Sequence, residues 1–149
     1  MQIIIRKGEE GDVEAAFQLI RELALFEKAP DEVQTNVEQM RADGFGKKPA
    51  YRLLIAEADG EIVGTAIYFI KYSTWKGKGL YLDDIVVAEA FRGKTIGSKL
   101  FEAVLQDAKN ENCKQMHWQV LDWNEPAIAF YKKYNAVFES GWINCKLHF

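Results

Sequence analysis

Apolar residues recur along this chain with two periods, and each change of period marks an element. Residues 2–6, with Ile3, Ile4 and Ile5 in a row, predict a strand. Gly11-Asp12 offers a helix cap, and Val13, Ala16, Phe17, Ile20, Leu23 and Ala24 follow at helical spacing until Pro30 interrupts it. Thr35-x-x-Glu38 matches a capping box for a short second helix, which Gly44-Phe45-Gly46 ends. Residues 51–58 and 61–72 read as strands joined by Asp59-Gly60, a strong hairpin signal, and residues 80–87 as a further strand. Ile96, Leu100, Ala103, Val104 and Ala108 then mark an amphipathic helix reaching about Asn110. Residues 115–121 predict a strand. Asn124 caps a short helix with Pro126 in its first turn and Ala127, Phe130, Tyr131 and Tyr134 on its apolar face. Residues 142–149 predict a closing strand, with room for a short extra one near Val137-Phe138.

The order β α α β β β α β α β implies an α/β (α+β) fold: a mixed, mostly antiparallel central sheet with helices on both faces. The 149 residues contain no repeat, low-complexity tract or linker, so one domain over 1–149 is expected. A net charge of −3 argues against nucleic-acid binding and is compatible with a cationic substrate. Cys113 and Cys145 form no C-x-x-C, and His117 and His148 complete no ligand spacing, so no metal site is expected. No signal peptide or membrane-length apolar run is visible, and the expectation is a cytoplasmic protein with no membrane association.

Candidate chemistry begins where strand 80–87 runs through Arg92-Gly93-Lys94-Thr95-Ile96-Gly97-Ser98 into a helix. A helix start carries unpaired N–H groups and the positive end of the dipole, and glycine lets an anion approach. Arg92 and Lys94 oppose that dipole unless an anion sits there; a diphosphate fits. The spacing is neither a Walker motif nor G-x-G-x-x-G.

The loop resembles the acetyl-CoA pyrophosphate loop of the GNAT superfamily, [Q/R]-x-x-G-x-[G/A], with Thr95 where the pattern has Gly. A closer resemblance runs through Glu22-Leu23-Ala24, Asp43-Gly44-Phe45-Gly46, Trp75-x-Gly77-Lys78, Leu80-Tyr81-Leu82-Asp83-Asp84, Met116-His117, Trp123-Asn124-Glu125-Pro126 and Phe130-Tyr131-Lys132. These look like the diamine (spermidine/spermine) acetyltransferase family, whose relatives acetylate thialysine and other small amines. The resemblance implies a GNAT fold, a homodimer, and transfer from acetyl-CoA to a primary amine without an acyl-enzyme. It implies that the coenzyme is held by the backbone of Ile85, Val86 and Val87, by Arg92 to Ser98, and by Asn124, Ala127 and Tyr131. It also implies that the amine is lined by Phe26, Glu27, Trp75, Asp83, His117, Trp118, Gln119 and Trp142.

Thioester aminolysis needs a base for the amine, stabilisation of the carbonyl oxygen and a proton for the thiolate. Asp83 and Asp84 stand in an apolar strand where strict alternation sends them to opposite faces. The resemblance favours Asp83, where relatives carry Glu, as water-assisted base or as substrate anchor. It makes Tyr131 the proton donor and the N–H groups of Ile85 to Val87 the oxyanion donors, given a break in strand pairing. Ser140, not Glu, precedes Gly141-Trp142, which makes an amine bearing its own carboxylate, such as thialysine or lysine, as plausible as a polyamine. Alternatives are a protein lysine or N-terminal acetyltransferase, and a noncatalytic acyl-CoA sensor.

Overall fold

The structure, a computed structural model, describes residues 1–149. The chain forms two compact units, Met1–Gln119 and Val120–Phe149. The first unit carries a five-stranded sheet in the order β1-β2-β3-β4-β5, with β1 Ile3–Lys7, β2 Arg52–Ala58, β3 Glu61–Ser73, β4 Gly77–Val87 and β5 Met116–His117. The first four strands pair antiparallel, and β5 pairs parallel with β4, giving the expected mixed sheet. Asp59 and Gly60 both take positive φ, 49° and 85°, as the tight β2–β3 turn requires.

Helix α1 (Val13–Phe26) and helix α2 (Val37–Phe45) cover one face. Val13, Ala16, Phe17 and Met40 pack there with Leu53, Ile55 and Ile67. The lead-in to α1 is a 3-10 turn in which Asp12 accepts the Glu9 N–H and is gripped by both guanidinium nitrogens of Arg6. The cap of α2 is Asn36, whose side chain accepts the Gln39 N–H, rather than Thr35. Asn36 is itself a favoured cap residue and starts the helix one position later, so the Thr35–Glu38 box does not form. Helix α3 (Ile96–Asn110) lies on the opposite face, burying Ile96, Leu100, Phe101 and Val104 completely.

Two expected strands differ. Residues 115–121 give only the two-residue β5, paired at Leu80↔Met116 and Tyr81↔His117. Just beyond Tyr81 a bulge turns β4, and a bulged strand bends away from a neighbour on its other edge. Residues 142–149 form no strand, nor do Val137 and Phe138: Trp142 is 83%, Ile143 88% and Leu147 85% exposed. A strand needs a partner edge, and the second unit holds only helix α4 (Glu125–Lys132).

Candidate active site

The bulge in β4 decides where the acids point. Ile67 of β3 pairs with Asp84, but the next residue, Tyr68, pairs with Leu82, so Asp83 is the extra residue. Ile67 belongs to the core under α1 and α2, which puts Asp84 on that face. Tyr68 donates its hydroxyl proton to Asp107 of α3, which puts Leu82 on the other face. Asp84 and Leu82, two residues apart, therefore face opposite sides. The extra residue breaks period-two alternation and turns Asp84 to the α1 face. The two carboxyls lie close enough that Asp83 acts on Asp84 and both act on the Tyr81 phenol.

Glu27, at the C-terminal end of α1, is the third carboxylate of this group. Burial, then Asp83, then Glu27 push the Asp84 carboxyl up to about 7. Burial also raises Glu27, and it raises Asp83 although that residue reaches solvent. No Lys or Arg forms an ion pair with any of the three. Negative charge crowded together without a cation is costly unless a cation binds or a proton is retained. Aromatic surface adjoins it: Tyr81 packs on Phe69 at 5.4 Å and meets the His117 ring edge-on at 5.2 Å. An alkylammonium suits such a lining.

On its far edge β4 is open past the end of β5. Leu80 N–H bonds to Gln115 and Ala88 N–H to Val63 of β3, and alternation between them sends the N–H groups of Ile85 and Val87 to the open edge. The Val86 N–H, expected among the donors, belongs to the β3 ladder by the same alternation. The break in pairing on that edge lies past Tyr81, where β5 ends, and on the β3 side the register shifts at Asp83.

Beyond β4 a 3-10 turn at Glu89–Phe91 leads into the basic loop. Gly93 and Thr95 both adopt the left-handed conformation, φ 74° and 67°. A capping side chain needs extended backbone, so Thr95, at the cap position of α3, makes no capping bond. The N–H groups of Ile96, Gly97 and Ser98 are thus left for an external acceptor. Arg92 donates from Nε to the Val87 carbonyl at 3.1 Å and lies over the Phe26 ring at 5.7 Å, and Lys94 lies over Phe91 at 5.9 Å. Neither pairs with a carboxylate. Uncapped N–H groups, two unneutralised cations and backbone exposed from Arg92 to Thr95 fit a coenzyme A diphosphate.

Not every expected substrate residue joins the acids. Trp75 is 86% exposed in the β3–β4 turn, about 20 Å along the strand from the bulge. Trp118 meets Phe101 of α3 edge-on at 5.3 Å, on the other face. Gln119 ends the first unit. In the second unit Trp142 is exposed, whereas Tyr131 and Asn124 are buried. There Asn124 accepts the Ala127 N–H at 3.3 Å, and the Tyr131 ring stands edge-on to Phe130. Sequence reasoning singled out Asp83 and passed over Tyr81 and Phe69; the tandem acids in an apolar strand were the available signal.

Comparison with known proteins identifies the family. The acetyltransferase (GNAT) family pattern matches residues 15–136, across both units. A thialysine N-epsilon-acetyltransferase of Bos taurus is 44% identical over 142 residues, 90% of this chain and 84% of its own. Its Mus musculus counterpart is 42% identical over 94% of this chain and 89% of its own. A human spermidine/spermine N(1)-acetyltransferase-like protein is 35% identical over 93% of this chain, which spans 21% of that longer protein. Among solved structures, an aminoglycoside acetyltransferase from an uncultured soil metagenomic sample superposes with a TM-score of 0.79 at 19% identity, covering 99% of this chain and all of its own, a likeness of fold. The bulged strand with its open edge and the uncapped helix start after it are thus set in a chain that belongs to the GNAT family of acetyl-CoA-dependent N-acetyltransferases.

Proposed function

We propose that this chain transfers the acetyl group of acetyl-CoA to the side-chain amine of a small lysine-like molecule, thialysine in the first place. The observation that carries the reading is the group Glu27, Asp83 and Asp84, three carboxylates with no cation of their own beside the open edge of β4. The thialysine acetyltransferases at 42–44% identity support the same substrate class.

The amine arrives as an ammonium and is held by Glu27 and Asp83 against Tyr81. Asp84, with its carboxyl near 7, takes the proton that the ammonium must lose, and Asp83 at the solvent boundary passes it to water. Acetyl-CoA supplies the acyl group as a thioester whose carbonyl is open to attack. The N–H groups of Ile85 and Val87 donate to the carbonyl oxygen as charge develops on it. Tyr131 gives its phenolic proton to the departing sulfur, the nitrogen sheds its second proton to solvent as the amide forms, and Tyr131 recovers one from solvent. Arg92 to Ser98 hold the diphosphate, and Asn124 and Ala127 the pantetheine arm. A homodimer is part of this proposal; the exposed Val137, Trp142, Ile143 and Leu147 supply apolar surface for one.

The test is release of free thiol from acetyl-CoA over a panel of thialysine, lysine, diamines and polyamines. Thialysine is expected to lead, and a panel with no release above background refutes the proposal. Tyr131→Phe is expected to lower turnover about 100-fold while coenzyme A affinity holds. Unchanged turnover removes Tyr131 from the chemistry.

A further inference from the structure

Lys71 is the one basic side chain shown seated on the aromatic surface beside the acids, and the chemistry above leaves it unused. It is half-buried on β3, yet no carboxylate pairs with it. Its ammonium lies 5.5 Å from the centre of the Tyr81 ring and 3.4 Å from Nδ1 of His117. An ammonium has no lone pair to offer, so in this contact it donates and Nδ1 accepts. A ring face and a ring nitrogen orient a lysine without cancelling its charge as a carboxylate would. The cation stays available to an anion.

Its position relative to the acids has a length. Tyr81 pairs with Phe69, and Asp84 pairs with Ile67, two residues back along β3. Phe69 and Ile67 point to the same face, so the Tyr81 ring and the Asp84 carboxyl are separated by about 7 Å of strand. Lys71, two residues further on, folds back over that ring. A lysine-like side chain spans roughly 8 Å from its terminal nitrogen to its carboxylate when extended. A diamine offers no anion at that distance. A polyamine brings a second cation there, which Lys71 repels.

We infer that Lys71, held over Tyr81 by His117, receives the carboxylate of the amine substrate while Glu27, Asp83 and Asp84 receive its ammonium. Lys71 is then the residue that selects an amino acid over a di- or polyamine. The inference rests on the proposed acetyl transfer and adds to it a second pole of recognition, opposite in sign to the first.

The experiment compares thialysine with bis(2-aminoethyl) sulfide, the same molecule without its carboxylate. Lys71→Met is expected to raise KM for thialysine about tenfold or more, with kcat little changed. KM for the sulfide is expected to stay or fall, which also reports that the variant is folded. Lys71→Arg is expected to recover part of the loss. Titration calorimetry on the coenzyme A complex should show thialysine affinity falling by the same factor, independent of turnover. Equal weakening of both amines overturns the inference and makes Lys71 a packing residue; so does no weakening of either. A wild-type protein that acetylates no amine on the panel instead refutes the acetyl transfer itself, and this inference with it.

Discussion

Two groups of carboxylates sit on opposite faces of one sheet. On the α3 face, Asp107 and Glu111 are answered in full: Arg52 bridges to both at 3.0 and 2.9 Å, Lys78 reaches Glu111 at 2.8 Å, and Tyr68 donates to Asp107 at 2.8 Å. Those cations hold the Glu111 carboxyl below its ordinary value, Lys78 foremost. Asp84 on the α1 face, with Glu27 and Asp83 acting on it, has no such answer and rises to about 7. The residue types are alike, so burial and partners separate the groups. The first fastens the end of α3 to β2, β3 and β4. The second spends stability on a place for a missing cation.

If that contrast is right, the two faces fail differently. Asp84→Asn keeps the shape and removes the base, and we expect kcat/KM to fall by about 100- to 1000-fold, some 3–4 kcal/mol of barrier. The wild-type rate should rise with pH to about 7, and that limb should vanish in the variant. Thiol release followed from pH 5 to 9 reads both, and a surviving limb would assign the titration elsewhere. Across the sheet, Asp107→Ala leaves Arg52 with one partner and the Tyr68 hydroxyl with none. It should cost about 2 kcal/mol in urea unfolding and leave KM for the amine unchanged.

The same contrast sets a pH dependence of stability. Asp84 is raised from an ordinary 3.8 to about 7 when folded, so the folded state holds its proton more tightly than the unfolded chain does. Its contribution is full below about 4 and is lost as pH climbs to about 7. Glu111, lowered on folding, contributes in the opposite sense: its stabilisation is present above its ordinary 4.5 and is lost as pH falls. Wild-type stability should therefore peak between the two. Asp84→Asn should flatten only the alkaline side, gaining of the order of 1–2 kcal/mol at pH 8 once solvent screening is allowed for. An alkaline decline that persists in the variant breaks the assignment.

Much of this was legible in the residues, and the part that was not has a common cause. Helices α1 and α3 follow from apolar spacing, and the β2–β3 turn follows from Asp59-Gly60, because each is decided by neighbours in sequence. The turn from β4 into α3 at residues 92–98 was legible for the same reason. The bulge at Asp83 was not, since it depends on which residue of β3 stands opposite. It turned Asp84 to the α1 face, where strict alternation from Leu82 would not have put it. Residues 142–149 carry a strand pattern but meet no edge within their own unit. Pattern states a preference, and pairing is settled by the rest of the chain.

The smallest expected effect tests whether the basic loop and the acids serve two different ligands. Thr95 holds φ at 67°, a conformation that crowds the branched Cβ of threonine against its own backbone. Thr95→Gly removes that strain, worth about 1 kcal/mol, and the resulting gain in urea midpoint should exceed the cost of a more flexible unfolded chain. The uncapped N–H groups at the start of α3 stay where they are, now without a side chain beside them. Coenzyme A should therefore bind as tightly or more tightly by calorimetry, while KM for the amine holds, because Glu27, Asp83 and Asp84 are untouched. A rise in amine KM with unchanged coenzyme affinity would place Thr95 on the amine side, and the division of labour between the basic loop and the acids would fall.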